Sequence, residues 1–249
     1  EDIYRVKTLS LNQIARMHFR TFPYAKKRMN ILYNEGYLHK KPLIKDQGGK
    51  RGVCYYISEK GLDAIEVVSS APTTRMVDGT QQPYRVNINE IFVSIATSGW
   101  PDWIWLDSRE TKSEFKLNRS LKISGAIQEV KTSENELESM PTYGVYFIPN
   151  DSAEKYVIEV KREIARNSDS SLLNKYIVFF EGDKEGKTNK NYINFGTDKL
   201  GAFSLMKLPY KLGLKLIPLL GPQNEGIKLI TEKLLNTCPV KSDKITTFT

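Results

Sequence analysis

Apolar residues recur along the first third of the chain with periods that change from helical to alternating and back. Leu11, Ile14 and Ala15 share one helical face directly after Ser10, which predicts a helix beginning there with the serine as its N-cap. Ala25, Met29 and Leu32 follow at i, i+4 and i+7, predicting a second helix that starts after Thr21-Phe22-Pro23. Pro23 suits its first turn, and Gly36 suits the left-handed position beyond its end. With those three residues turned to a core, Lys26, Lys27 and Asn30 face outward. Tyr37–Pro42 reads as extended, Lys45–Gly52 as a basic glycine-rich loop, and Val53–Ile57 as a returning strand. Ser58 then caps a closing helix through Ile65. Helix, helix, hairpin, helix is the order of a winged helix-turn-helix.

Periodicity fades between Ser69 and Pro83, where Ser, Ala, Pro, Thr, Asp and Gly gather, and this stretch reads as a linker or long loop. Beyond it, Val86, Ile88, Ile91, Phe92 and Ile95 predict a helix, and Trp103–Leu106 a strand. Tyr143–Pro149, a turn at Asn150-Asp151 and Tyr156–Lys161 predict a β-hairpin. Ser170–Phe180 is expected to be helical, although its β-branched and aromatic residues leave strand open. Ala202–Leu220 predicts one or two strands, and Glu225–Leu235 a helix after Gly221-Pro222. The expected fold class is therefore α+β: a winged helix over 1–70, a linker over 71–84, and an α/β domain with a mixed central sheet over 85–249.

Charge sharpens this division. Thirteen of the 37 basic residues, against five of the 29 acidic ones, lie within the first sixty positions, so that segment holds the whole formal net charge of +8. The remainder is balanced, 24 against 24. A neutral body with one basic end points to a polyanion as the partner of that end. No run reaches the roughly 18 apolar residues that a membrane-spanning helix needs, so no membrane partner is expected. Cys54 and Cys238 lack metal-type spacing and are expected to be structural thiols of a reducing cytoplasm. Two histidines, His18 and His39, leave no histidine-rich metal site to build.

A recognition helix needs polar and basic side chains on its outward N-terminal half, where base edges and phosphates lie. Tyr24, Lys26, Lys27, Arg28 and Asn30 supply that composition. Lys45, Lys50 and Arg51 sit on the wing loop, able to follow the backbone or enter the minor groove. The competing interpretation is that these lysines only solvate a helix and a loop, or that the module binds a protein. Concentration of the entire net charge here favours duplex DNA. Two-fold sites are common for such modules, which makes a homodimer compatible with this reading.

The runs Ile14–Phe19, Ala25–Leu38 and Tyr55–Gly61 resemble the replication-relaxation family. That resemblance implies a protein encoded on a plasmid or another mobile element, acting in replication, conjugative transfer or their transcriptional control. A replication or transfer protein is the partner it implies besides DNA. Further on, Pro141-Thr142-Tyr143-Gly144-Val145-Tyr146 followed by Ile158-Glu159-Val160-Lys161 resembles the core hairpin of PD-(D/E)XK nucleases. The resemblance implies a metal-binding acid and a lysine at Glu159 and Lys161, with Glu90 on the preceding helix as the third carboxylate and Mg²⁺ as cofactor. Thr142 stands where such nucleases carry Asp, and a neutral hydroxyl is a poor Mg²⁺ ligand. The expectation is thus a nuclease-like scaffold with no metal and no catalysis, and a Mg²⁺-dependent endonuclease is the alternative. Walker A, G-x-G-x-x-G, G-x-S-x-G and H-E-x-x-H signatures are absent from the sequence.

Overall fold

The computed structural model describes residues 1–43, 52–66, 82–97, 103–129, 142–149, 152–167, 173, 175–181, 203–208, 217–218, 228–230 and 232. The chain forms two compact units, Glu1–Val93 and Ser94–Thr249.

The amino-terminal unit runs α1 (Asp2–Val6), β1 (Leu9–Ser10), α2 (Leu11–His18), α3 (Phe22–Asn34), β2 (Leu38–Pro42), β3 (Val53–Ile57) and α4 (Glu59–Ala64). The helix–helix–hairpin–helix order expected from the sequence is present. Ser10 caps α2 with a reciprocal capping box: its hydroxyl accepts from the Gln13 amide, and the Gln13 side chain accepts from the Ser10 amide. Ser58 caps α4 by accepting from the Gly61 amide. Pro23 lies in the first turn of α3, and Gly36 takes a φ of 81° just past its end. Strand order is β1-β3-β2, all antiparallel, with Leu9 opposite Tyr55 and Leu38 opposite Ile57. Gly61 permits the tightest approach, since a Cβ there would lie 2.2 Å from the Tyr37 carbonyl oxygen. Leu9, Ile14, Ala25, Met29, Cys54 and Tyr55 form the buried interior.

Helix α5 (Gln82–Thr97) closes this unit with its first twelve residues. The second domain was expected to begin at residue 85, which falls inside α5. The amide of Asn89 donates to the carbonyls of Val6 and Thr8, and that of Gln82 to the Tyr56 hydroxyl at 2.8 Å. These donors close backbone and side-chain acceptors that burial would otherwise leave unpaired.

The second unit holds β4 (Trp103–Asp107), α6 (Ser108–Glu114), β5 (Gly125–Glu129), β6 (Thr142–Ile148), α7 (Glu154–Asn167), β7 (Lys175–Glu181), β8 (Phe203–Leu208) and β9 (Ile217–Pro218). The sheet is mixed, in the order β4-β5-β6-β7-β8-β9. β4, β5 and β6 pair antiparallel, β6, β7 and β8 parallel, and β9 returns antiparallel. The strand expected over 103–106 and the strands expected within 202–220 are present. Residues 228–230 and 232, inside the helix expected over 225–235, are helical.

Two expectations fail here. The second arm of the hairpin, Tyr156–Lys161, is not a strand but the middle of α7. Val157, Val160 and Ile164 are buried at i, i+3 and i+7, while Ile158, which alternation would pair with Val160, is 38% exposed. The helical period therefore decides the segment, and β-branched residues merely imitate a strand over six positions. Conversely, within the helix expected over Ser170–Phe180, Lys175–Phe180 belong to the strand β7. Tyr176–Phe180 is buried on both faces of the sheet, and a strand in that position reads as a continuous apolar run without alternation. Val157, Val160 and Ile164 of α7 pack against Tyr146, Ile148, Tyr176, Val178 and Phe180. β6, α7 and β7 thus form one parallel βαβ unit in place of a hairpin.

Candidate nucleic-acid interface

The sequence of α3, FPYAKKRMNILYN, contains no acidic residue. Ala25 and Met29 are buried, which fixes the rotation of the helix about its axis. Tyr24, Lys26, Lys27 and Arg28 are all exposed, and Asn30 is half-buried. The structure therefore brings these five sequence-selected residues together on one helix. Lys45, Lys50 and Arg51 of the expected wing loop lie outside the described residues.

Neighbouring contacts hold the helix ends. The Tyr24 and Phe19 rings meet in a T-shaped contact at 5.7 Å between centroids. Lys60 donates to the Glu35 carbonyl at 2.7 Å and lies 4.5 Å from the Tyr37 ring, placing a cation at the C-terminal end of α3 where the helix dipole favours it. Lys40, on β2, lies 5.5 Å from the Tyr33 ring and within 3.4 Å of the Asn30 side-chain oxygen. Lys40 and the exposed Arg20 add cations near both ends of α3, and sequence reasoning had passed over them. Lys40 was legible only as part of a strand; the turn between helix and hairpin is what sets it beside Asn30.

Behind this face, α2 carries a buried polar clasp. Gln13 is fully buried and donates to the Val86 carbonyl at 2.8 Å and to a Glu90 carboxylate oxygen at 3.1 Å. The Arg16 guanidinium meets the other oxygen of Glu90 as an ion pair, with the two side chains 10% and 3% exposed. His18 pairs with Asp2 at 2.9 Å, and that hydrogen bond holds the Asp2 carboxyl below its ordinary range against the opposing effect of burial. Glu90, expected as a third metal-binding carboxylate, is thus engaged inside the amino-terminal unit by Gln13 and Arg16.

Cys54 is a free thiol with no exposed surface, pushed up to about 12 by burial. Such a thiol has negligible thiolate near neutrality and is inert. In a Cys238→Ser background, Cys54 is expected to stay unreactive toward a thiol reagent near pH 8 and to react fully on unfolding. The folded protein keeps the thiol neutral beyond its ordinary 9.0, so this contribution to stability is intact below pH 9.0 and is lost as pH rises toward 12. Denaturant melts across that alkaline window check it. Cys238 lies outside the described residues.

In the second unit, Glu159 and Lys161 sit two positions apart on α7. On a strand that spacing shares a face; on a helix it turns the side chains roughly 200° apart. Glu159 faces Lys122 at 3.8 Å, in a pair that is about two-fifths exposed on both sides. The Glu90, Glu159 and Lys161 set does not fit a Mg²⁺ site, and no cluster of three His, Cys, Asp or Glu occurs among the described residues. Thr142 opens β6, buried, opposite Gln128. Trp103 and Trp105 are buried.

One row across the sheet is chemically richer than α7. Trp103 pairs with Glu129, Ile127 with Tyr143, and Tyr143 with Lys175, which sets Trp103, Glu129, Tyr143 and Lys175 at one end of the same face. Burial, and secondly the Glu129 charge, push the Tyr143 hydroxyl above its ordinary value. Lys175 lies 6.0 Å from the Tyr143 ring.

Residues 1–121 match the replication-relaxation family. The match takes in the whole amino-terminal unit and continues through β4 and α6, stopping before β5. No curated protein and no solved structure matches the chain. Among the described residues no helix is long and apolar enough to cross a membrane.

Proposed function

We propose that the replication-relaxation segment binds double-stranded DNA as a winged helix-turn-helix, in the replication or transfer of a plasmid or another mobile element, or in their transcriptional control. The observation that carries this reading is α3 itself: buried Ala25 and Met29 on one side, exposed Tyr24, Lys26, Lys27 and Arg28 on the other, and no acidic side chain along its length. A helix so oriented presents its outward face to a major groove and its cations to phosphates. β2 and β3 are the wing strands in this reading, with Lys45, Lys50 and Arg51 on the loop between them. The second unit then serves self-association, giving a homodimer on two-fold sites, or contact with a replication or transfer protein. Binding of a random-sequence duplex, measured over about 50 to 200 mM salt, should fall linearly on log–log axes with a slope of about −5, as five or six phosphate contacts require. Absence of binding at the lowest salt rejects the proposal and leaves a protein-binding adaptor.

A second reading is a Mg²⁺-dependent endonuclease, favoured by the β4–β5 register. Glu129 ends β5 opposite Trp103, the residue after Pro101-Asp102, and Glu129-Val130-Lys131 has the E-x-K spacing that α7 cannot present on one face. Asp102, Val130 and Lys131 lie outside the described residues. In this reading Asp102 and Glu129 replace Glu90 and Glu159 as the carboxylates, and Lys131 replaces Lys161. A metal held there would stabilise charge on a scissile phosphate. Incubating plasmid with Mg²⁺ or Mn²⁺ decides the matter: cleavage that disappears in Glu129→Ala and survives in Glu159→Ala establishes the nuclease. No cleavage by the wild-type chain rejects it.

A further inference from the structure

The outward stripe of α3 is not uniformly polar. Tyr24, Lys27, Arg28 and Ile31 follow at i, i+3, i+4 and i+7 and therefore form a single line along the helix. Ile31 is 39% exposed within that line, although the same helix buries Ala25 and Met29 completely or nearly so. Lys27 and Arg28, one turn before it, have no hydrogen-bond or ion-pair partner among the described residues. An aliphatic side chain beside two unengaged cations is ill suited to an apolar protein groove, which would have to desolvate both charges. It suits a surface that offers anions and a methyl group within a few ångströms of each other.

The major groove of duplex DNA is such a surface. Phosphates line its walls, and the C5-methyl of thymine is the one aliphatic group on its floor. We infer that Ile31 reads a thymine methyl while Lys27 and Arg28 hold the helix to flanking phosphates or a neighbouring guanine edge. The inference rests on the DNA-binding reading and adds to it the base that this helix selects. Ile31 is suited to the task because a β-branched side chain is stiff at χ1 and loses little rotamer freedom on contact. The site it predicts contains a thymine about one or two base pairs from those that Lys27 and Arg28 approach, since one α-helical turn advances about 5.4 Å and one base pair about 3.4 Å.

The test begins with the full chain selecting duplexes from a random-sequence pool. Each thymine of the selected duplex is then replaced singly by deoxyuridine, which deletes only the methyl. Loss of one buried methyl corresponds to a roughly 3- to 5-fold weaker binding. We expect one or two positions to show that loss with the salt dependence unchanged, and Ile31→Ala to bind the thymine and uracil duplexes equally. Ile31→Ser, which removes every methyl group of the side chain, repeats the measurement should the alanine variant fold poorly, and circular dichroism of both variants checks the helix. A wild-type chain indifferent to every uracil, an Ile31 variant that still prefers thymine, or a pool that yields no consensus overturns the inference while DNA binding stands. A chain that retains no duplex at low salt sinks the DNA reading itself.

Discussion

Replacing Lys27 and Arg28 together by alanine is expected to flatten the salt dependence of DNA binding by about 1.8 on log–log axes, two phosphate contacts at about 0.9 each. At moderate salt the affinity should fall roughly ten-fold or more, since two phosphate-bound cations are removed at once. Both side chains are exposed, so the fold has little reason to respond. The matched control is Lys155→Ala with Arg162→Ala, which removes the same charge from exposed positions on α7. If net charge alone drove association, the two double variants would weaken binding alike. The proposal requires the α3 pair to lose far more, because contact and not overall charge carries the slope.

The largest expected stability effect lies elsewhere, at Glu90→Ala. That change leaves the Arg16 guanidinium, 10% exposed, without its counter-charge, and strands one donor of the fully buried Gln13 amide. Breaking one side of a buried pair costs about 3–5 kcal/mol. For a unit of this size that corresponds to a fall in Tm of roughly 12 °C or more. The Arg16 Nε and Nη2 atoms have no hydrogen-bond acceptor among the described residues, so the pair is Coulombic and poorly supported by hydrogen bonds. An apolar replacement of both members, Arg16→Met with Glu90→Leu, should accordingly recover most of the loss. Thermal melts of the two variants check this. If Glu90→Ala melts with the wild type, the clasp contributes nothing to holding α5.

Local signals were sufficient for α2, α3 and α4 because caps and helical periods act over a few residues. Ser10 and Ser58 stand where an N-cap must be, Pro23 where a first turn tolerates it, and Gly36 where φ turns positive. The face of α3 followed as soon as Ala25 and Met29 were assigned to the interior. Lys40 and Ile31 escaped notice for different reasons. Lys40 reaches α3 only through the turn of β2, and an exposed isoleucine has no meaning until the helix rotation is known.

In the second unit the same reasoning exchanged a helix and a strand. Tyr156–Lys161 alternates over six residues, and only the longer Val157, Val160 and Ile164 period, read through the depth of α7, reveals the helix. Tyr176–Phe180 has no period because β7 has sheet neighbours on both edges and is buried on both faces. The nuclease-like placement of Glu159 beside Lys161 fell with that exchange, since it depended on the two-residue repeat of a strand.

By itself, the chain's order of residues determined where its charge resides, which helix carries it, and how the ends of that helix are capped. Each of these is settled within a few turns of backbone, where hydrogen-bond chemistry and side-chain period act over short separations. Tertiary structure alone decided that Glu90 serves Arg16 and Gln13, that Glu129 and not Glu159 stands beside Tyr143, and that β6 and β7 run parallel. Those outcomes join residues tens of positions apart, and burial is the only force that selects among the pairings the local pattern leaves open.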